Sequence, residues 1–367
     1  MTTKYTPEYL EEITMRKADF KARQSLPYDA KVNMAKTRVY DFINDCNSYN
    51  NSLGRPVNYH VSVGGLDSIT LLMFIRSMGF DPPAISVSSI EDKSIQEIHR
   101  QLGVISLLPA LKEDGTRWNK AKILQEFGFP VLSKETASKI EILQNPSPKN
   151  ATVRHAIITG ETGEYGGNRK GSRMRLAQKW LELFGGYENE NEGVNYQIAP
   201  FKVSSKCCHY LKEKPCDDWA KEHDSVPFLG LMASEGGRRA KSLAINGCNY
   251  WGKSTVRSAP FATFTRQDIL QLTLDLNVPV PEIYGSIERD ENGLLYTTKA
   301  QRTGCSFCGF GIQLEKRRPH RFDLLRERNP KEWAYWMYEC CLDENGNKYG
   351  WGKVLDYIGV EWEDPVI

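Results

Sequence analysis

Residues 57–127 alternate short apolar runs with helical segments, and this alternation limits the possible folds more than any other feature of the sequence. Residues 57–63 are rich in β-branched side chains, and residues 67–78 are apolar almost all round, as in a buried helix. The series continues with strands at 84–89 and 104–108 and with helices at 91–102 and 118–127. Such alternation is typical of right-handed βαβ units. We therefore predict an α/β fold with a parallel sheet flanked by helices.

Chain length and changes of texture predict three consecutive regions. At about 150 residues per domain, 367 residues correspond to roughly two domains. We expect a helical N-terminal region at 1–55, including a helix at 28–46, and an α/β domain at 56–265. A C-terminal helical lobe at 266–367 contains the Cys-x-x-Cys pair. Residues 144–172 are rich in Asn, Gly, Ser and Lys, and we expect a long loop there.

Charge and hydropathy exclude some classes of protein. The sequence has 48 Lys and Arg against 46 Asp and Glu, so no overall charge points to nucleic acid or to a membrane surface. No apolar run approaches the roughly 18 residues of a membrane helix, and residues 1–6 lack the apolar stretch of a signal peptide. We expect a soluble cytoplasmic protein with no membrane partner, and whether it forms a homodimer is left open.

A glycine pair joins the first predicted strand to the buried helix, in the segment Ser62-Val-Gly64-Gly65-Leu-Asp67-Ser68. Two glycines allow a tight turn that directs N–H groups at an anion, and the helix N-terminus adds partial positive charge. Ser62 and Ser68 can donate hydroxyl hydrogens to phosphate, and Asp67 can hold Mg²⁺. The segment is neither a Walker loop nor Gly-x-Gly-x-x-Gly. The alternative is a plain strand-to-helix turn with Asp67 as the helix N-cap.

The nine cysteines are clustered, and their number is odd. A reducing cytosol disfavours structural disulfides, so metal binding or thiol chemistry is the better expectation for those that lie together in sequence. Three groups do: Cys207-Cys208, Cys305-x-x-Cys308 and Cys340-Cys341.

Residues 62–68 resemble the pyrophosphate loop of the N-type ATP pyrophosphatase superfamily, and their order is similar to that of its phosphoadenosine phosphosulfate (PAPS) reductase family. Val63 and Leu66 stand where Ser and Lys are common. The segment 129–135, with Lys134, is similar to the family's segment after the third strand. Gly236-Gly-Arg238-Arg239-Ala-Lys-Ser242 resembles its Gly-x-Arg-Arg-x-x-Ser, where the arginines bind phosphate or sulfonate; a solvated Arg-Arg surface is the alternative.

This resemblance implies a Rossmann-like, adenine nucleotide alpha hydrolase-like sheet that binds ATP or an adenylyl sulfate with Mg²⁺. Residues 207–215 and 304–309 are similar to the cysteine segments of the iron–sulfur members. In those relatives four thiolates, matching Cys207, Cys208, Cys305 and Cys308, hold one 4Fe–4S cluster. A structural zinc ion and unligated thiols remain the alternatives.

Three functional hypotheses follow from the resemblance. The first is an ATP-dependent adenylating sulfurtransferase that releases pyrophosphate. It would need a sulfur donor, and its acceptor could be a nucleic acid. Phage-encoded and defence-associated members of the family also resemble this chain. The second is a PAPS or adenylyl sulfate reductase with a thioredoxin-like partner. Its nucleophile would be Cys340, because Glu339-Cys340-Cys341-Leu342-Asp343 is the nearest match to the family's Glu-Cys-Gly-Leu-His tail. The third is a non-catalytic nucleotide-binding module with a zinc clip.

Overall fold

A computed structural model describes residues 6–162, 172–186, 196–253, 255–315 and 318–362, apart from the side chain of Arg238. These residues form two compact units. Unit 1 comprises the described residues of Met1–Leu108 and Lys214–Gly304, and unit 2 those of Pro109–Glu213 and Cys305–Ile367. Each unit is therefore built from two separate stretches of chain, which differs from the three consecutive regions expected at 1–55, 56–265 and 266–367.

The strands are short, and in chain order they are β1 Asn58–Ser62, β2 Ala84–Ser86, β3 Ile105–Ser106, β4 Val131–Leu132, β5 Ser225–Leu229, β6 Asn249–Trp251, β7 Val256–Ser258, β8 Ile287–Arg289, β9 Leu295–Thr297, β10 Gly309–Phe310, β11 Cys341–Leu342 and β12 Lys348–Tyr349.

The helices of unit 1 are α1 Pro7–Gln24, α2 Tyr28–Cys46, α3 Leu66–Ser77, α4 Lys93–Gln101, α10 Lys214–Glu222, α11 Gly237–Asn246 and α12 Arg266–Asp275. Those of unit 2 are α5 Lys120–Phe127, α6 Lys134–Gln144, α7 Ala151–Thr159, α8 Gln178–Phe184, α9 Lys206–Cys208, α13 Arg321–Arg328, α14 Pro330–Ala334 and α15 Trp351–Ile358. Two π-helical turns, His209–Glu213 and Tyr335–Glu339, follow α9 and α14. None of the described helices is both long and apolar enough to cross a membrane.

A six-stranded, mostly parallel sheet organises unit 1. Its strand order is β3-β2-β1-β5-β7-β6, and only β6 runs antiparallel, against β7. The mixed α/β class with a largely parallel sheet is the one predicted from the alternation in the sequence, and the sheet is compatible with a Rossmann-like fold. The order reverses direction between β1 and β5, because β2 and β3 lie on one side of β1 and the later strands on the other. In open parallel sheets, ligands bind beyond the carboxyl ends of the strands at such a reversal.

Helix α3 is buried on nearly every side, as its apolar sequence predicts, with Leu66, Ile69, Leu71, Leu72, Phe74 and Ile75 all inaccessible or nearly so. Helix α2 was expected to lie in a separate N-terminal region, but its inner face belongs to the core of the sheet. Ala35, Val39, Phe42 and Ile43 pack in one cluster with Val61 of β1 and Phe228 of β5. Apolar burial of this extent joins residues 28–46 to the α/β unit.

Unit 2 has its own core, in which aromatic rings from distant segments meet. Phe129 packs edge-on against Trp351, and Phe184 packs against Phe201 and Tyr357. The expected loop at 144–172 is wrong in part, because α7 occupies Ala151–Thr159. That helix buries Ala156, Ile157 and Ile158. The polar composition of the segment predicted a loop, but burial of these apolar side chains stabilises a helix. Residues 163–171 of the expected loop lie outside the described residues.

Candidate functional site

The glycine loop of unit 1 lies where the strand order reverses. It connects the end of β1, where Ser62 is the last residue, to the first turn of α3. The end of β5 comes close to the same turn at Gly230. A Cβ on Gly230 would lie 3.0 Å from the Cα and 3.1 Å from the N of Ser68, so glycine permits this close approach.

Hydrogen bonds within the loop hold its backbone in place. The Gly64 N–H donates to the Ser68 hydroxyl at 2.7 Å, and that hydroxyl donates to the Gly65 carbonyl at 2.9 Å. The Gly64 carbonyl lies 2.8 Å from Nε2 of the buried His99, whose Nδ1 contacts the Ser88 hydroxyl at 2.9 Å. Ser68 therefore orders the loop from inside, in addition to its expected contact with phosphate.

A tyrosine from the second stretch of unit 1 covers the loop. The Leu66 N–H donates to the Tyr284 hydroxyl at 3.0 Å, and Thr303 lies 2.5 Å from the same hydroxyl. In the part of the chain that the structure describes, the N–H groups of Gly65 and Asp67 have no acceptor. These two donors, at the start of a 12-residue helix, remain available to an anion.

Asp67 is not the cap of α3. The N-cap position belongs to Gly65, which has no side-chain cap, and Asp67 is the second residue of the helix. Its carboxylate instead accepts a hydrogen bond from Arg266, the first residue of α12. Burial raises the pKa of Asp67, Arg266 opposes the rise, and the nearby Glu235 adds to it.

A second carboxylate, Glu235, lies between two guanidiniums. Arg239 and Arg302 both pair with it, and its side chain is only 11% exposed. Of the two arginines predicted to bind phosphate or sulfonate, Arg239 therefore contacts a carboxylate, and the side chain of Arg238 lies outside the described residues. An anion here would compete with Glu235 for charge-assisted hydrogen bonds.

Unit 2 brings the four predicted cysteine ligands to one cavity. Cys207, Cys208, Cys305 and Cys308 line it together with Lys120, Pro130 and Phe307. The first pair lies in α9, directly before a π-helical turn, a feature frequent at functional sites. The second pair is held by a tight turn, in which the Cys308 N–H donates to the Cys305 carbonyl at 3.0 Å and Phe307 has a φ of 57°.

Burial and neighbouring charges act on these thiols in opposite directions. Burial raises the pKa of Cys207, and Lys120 opposes that rise. Burial also raises the pKa of Cys208 to about 11, Lys134 opposes it, and the thiols of Cys305 and Cys308 raise it further. Positive charge beside four cysteine sulfurs favours their thiolate forms, which are the forms that bind metal ions.

Cys207, Cys208, Cys305 and Cys308 are the residues that would hold an iron–sulfur cluster, because their four thiols share one cavity with an apolar wall of Pro130 and Phe307 and two lysines supply positive charge. Among the described residues, no three side chains of His, Cys, Asp or Glu already stand in an arrangement that would hold a metal ion. The fit rests on the shared cavity, the donor type and the lysines.

Two other predicted site residues lie in unit 2. Lys134 is the first residue of α6, whose N-cap is Ser133, and it pairs with Glu213. Lys134 is also close enough to Cys208 to lower the pKa of that thiol. Cys340, the candidate nucleophile, is 6% exposed, and its thiol donates to the Trp336 carbonyl at 3.3 Å. A contact with Cys341 and burial both raise the pKa of Cys340.

Sequence reasoning missed the residues that reach these sites from distant parts of the chain. Arg266 appeared only as the first residue of the expected C-terminal lobe, and Tyr284, Arg302 and His99 carried no local signal. The Asp67–Arg266 contact joins positions 199 residues apart, and no motif or periodicity reports such a pair. Lys120 was likewise seen only as part of a helical segment.

Comparison of the chain with protein-family models, with curated proteins and with solved structures finds no match.

Proposed function

We propose that this chain is a PAPS reductase-like PP-loop enzyme that uses ATP to adenylate an acceptor, releases pyrophosphate and supports sulfur transfer to the activated acceptor. The observation that carries the proposal is the gathering of Cys207, Cys208, Cys305 and Cys308 around one lysine-flanked cavity. The glycine loop at the strand-order reversal supports the nucleotide half of the proposal, because its free N–H groups can bind phosphate.

The first step is attack of an acceptor oxygen on the α-phosphorus of ATP. The bond from that phosphorus to the bridging oxygen of the β-phosphate breaks, and pyrophosphate leaves. A sulfur nucleophile from a donor then attacks the acceptor carbon, the carbon–oxygen bond breaks, and AMP leaves. The N–H groups of Gly65 and Asp67 would stabilise the negative charge that builds up on the phosphates.

Asp67 and Arg266 have linked roles in this proposal. Binding of Mg²⁺ to the Asp67 carboxylate would release Arg266, whose guanidinium could then fork onto a phosphate. An iron–sulfur cluster held by the four cysteines would supply electron transfer and fixed charge, because four thiolate ligands leave none of its four irons open to a substrate. Lys120 and Lys134 would favour the thiolate forms that such binding requires.

The burial of Cys340 favours transfer over reduction. A reductase nucleophile must be a thiolate that reaches the sulfonyl sulfur, and Cys340 is buried with a raised pKa. The sulfurtransferase hypothesis needs no such residue.

Metal content is the first test. Protein purified without oxygen should contain about four irons and four acid-labile sulfides per chain, with visible absorption from the cluster. Stoichiometric zinc without iron would instead point to the nucleotide-binding module with a structural metal.

Product analysis is the second test. ATP, Mg²⁺ and a candidate acceptor such as bulk tRNA or DNA should yield pyrophosphate with the wild type and none with Asp67→Asn. Release of sulfite from an adenylyl sulfate, in the presence of a thioredoxin-type reductant, would instead establish the reductase and overturn the transfer proposal.

A further inference from the structure

A cavity of unit 1 lies against the N-terminal helix α1, away from the glycine loop. Its volume is about 390 Å³. Helix α1 contributes one wall, α2 contributes Arg38, and the opposite wall is the C-terminal end of α11 with the turn into β6, residues 243–249. The proposed nucleotide function uses none of these residues.

Positive charge dominates the lining. Arg16, Arg23 and Arg38 line the cavity together with one carboxylate, Asp19. Arg23 pairs with Asp19 at 2.9 Å, and Arg16 pairs with Glu12 at 2.6 Å and donates to the Ile245 carbonyl at 3.1 Å. The charges of Arg16 and Arg23 are thus matched one to one, and that of Arg38 is left over.

Arg38 is a buried cation without a counter-ion among the described residues. It is 8% exposed, and its Nη1 donates to the Pro260 carbonyl at 2.8 Å and to the Thr263 hydroxyl at 3.1 Å. Its Nη2 has no acceptor in the part of the chain that the structure describes. A buried guanidinium paired only with neutral groups is costly unless an anion completes the site.

A fourth guanidinium strengthens the positive field on the same side. Arg257 is also 8% exposed, its Nη2 donates to the Ser242 hydroxyl at 3.1 Å, and no described acceptor is bound to its Nη1. Cys248 lines the cavity, and burial raises the pKa of its thiol while Arg38, Arg23 and Arg257 oppose the rise. Four guanidiniums therefore act on this region against the carboxylates of Asp19 and Glu12.

Apolar side chains complete the lining. Phe20, Leu243, Ala244 and Ile245 all contribute to the wall. A cavity with a positive region and an apolar wall suits a ligand with the same two parts.

The cavity is separate from the proposed nucleotide site. Arg238 and Arg239 lie in the first turn of α11, whereas the cavity is lined from Leu243 onwards. Helix α11 has 10 residues, which at 1.5 Å per residue extend over roughly 15 Å. The two ends of this helix thus face different environments.

We propose that this cavity, the α1–α11 cavity, is a binding site for a small organic oxyanion, with a phosphate or carboxylate group held by the arginines and an apolar body held by Phe20 and its neighbours. This inference does not depend on the proposed function, since it uses neither the glycine loop nor the four cysteines.

Calorimetric titration of the full chain with phenyl phosphate tests the site. Arg16→Gln/Arg23→Gln should weaken binding by roughly tenfold or more, because two of the three lining guanidiniums are lost while Glu12 and Asp19 remain and repel an anion. Both side chains are about half exposed, at 54% and 48%, so their replacement leaves the core intact. Arg100→Gln is the matched control, since Arg100 is an exposed helical arginine paired with Glu97 on α4. It should bind like the wild type.

Asp67→Asn separates this site from the glycine loop and should also bind phenyl phosphate like the wild type. Titration with benzoate and with inorganic phosphate then identifies the preferred head group and the contribution of the apolar body. No binding of any of the three probes up to about 10 mM, a range that corresponds to negligible affinity, would overturn the proposal. It would equally be overturned if Asp67→Asn changed the affinity in either direction, which would place the probe at the glycine loop. Loss of binding in Arg100→Gln to the extent seen in the double variant, or normal binding by the double variant, would overturn it as well.

Discussion

Asp67 has a partly buried carboxylate, 26% exposed, whose desolvation is only partly offset by Arg266. Since its pKa is raised in the folded state, the folded chain holds this proton more tightly than the unfolded chain does, at pH values above the ordinary pKa of 3.8. The stability of the wild type therefore falls as the pH rises through the interval between 3.8 and the folded pKa. Asp67→Asn removes this titration.

We expect the free energy of unfolding of Asp67→Asn to become larger relative to that of the wild type as the pH rises above 3.8, so the variant gains stability relative to the wild type. Urea denaturation of both proteins at several pH values between about 4 and 7 measures the difference. A difference that stays constant, or that moves toward the wild type, would mean that the pairing with Arg266 outweighs the burial of the carboxylate.

Two cysteines of unit 2 should respond differently to substitution. Cys305→Ser removes a thiol of the four-cysteine cavity, and we expect it to abolish most of the iron and the visible absorption. Cys340→Ala removes a buried thiol of the core, so it should retain the iron and lower the free energy of unfolding by about 1–2 kcal/mol. Iron analysis and urea denaturation of both variants give the comparison. If Cys340→Ala lost its iron and Cys305→Ser kept it, Cys340 rather than Cys305 would be the cluster ligand.

At the scale of elements, the glycine loop leads directly into helix α3, and its two glycines differ in how much space surrounds them. A Cβ on Gly65 would lie 2.3 Å from the Tyr284 hydroxyl and 2.8 Å from that of Thr303. A Cβ on Gly64 would meet nothing closer than the Glu91 carboxylate at 3.7 Å. Only Gly65 is required by packing, because the buried Tyr284 leaves no room for a side chain.

We therefore predict that Gly65→Ala lowers the free energy of unfolding by about 1–3 kcal/mol, as overpacking typically does. Gly64→Ala, in the same loop, should change it by less than about 1 kcal/mol and serves as the control. Thermal or urea denaturation distinguishes the two. Equal losses would show that the loop requires both glycines for backbone reasons rather than for the contact with Tyr284.

At the scale of the whole molecule, each unit depends on two stretches of chain. Residues 266–304 belong to unit 1, and residues 305–362 belong to unit 2 together with part of 109–213. Phe322 and Trp351 pack in the same core as Phe129 and Phe184, which come from the earlier stretch. A boundary at residue 266 would cut through unit 1 and leave half of the unit 2 core behind.

A fragment of residues 266–367 should accordingly be unfolded when expressed alone, because its apolar residues lack their partners. Circular dichroism and the dispersion of its amide proton resonances measure this, with the full chain as the control. A cooperatively folded fragment would show that residues 266–367 form a domain by themselves, as their sequence had suggested.

Much of the secondary structure followed from local pattern. Helix α2 was expected at 28–46 and found at Tyr28–Cys46, and α4 was expected at 91–102 and found at Lys93–Gln101. Periodicity and turn residues are local properties, which explains this agreement. The loop expected at 144–172 failed in part because α7 is stabilised by burial of Ile157 and Ile158, a tertiary effect that a polar composition conceals.

The sequence by itself determined the alternation of strands and helices, the glycine loop between β1 and α3, and the four cysteines, because each depends on neighbours in the chain. Only the tertiary structure decided that Arg266 pairs with Asp67, that Tyr284 covers Gly65, and that Cys340 is buried. It also decided that residues 109–213 and 305–362 share one core. The contacts between Asp67 and Arg266, between the loop and Tyr284, and within the shared core join segments about 170 to 220 residues apart. Such contacts form only once chain folding has brought the segments together.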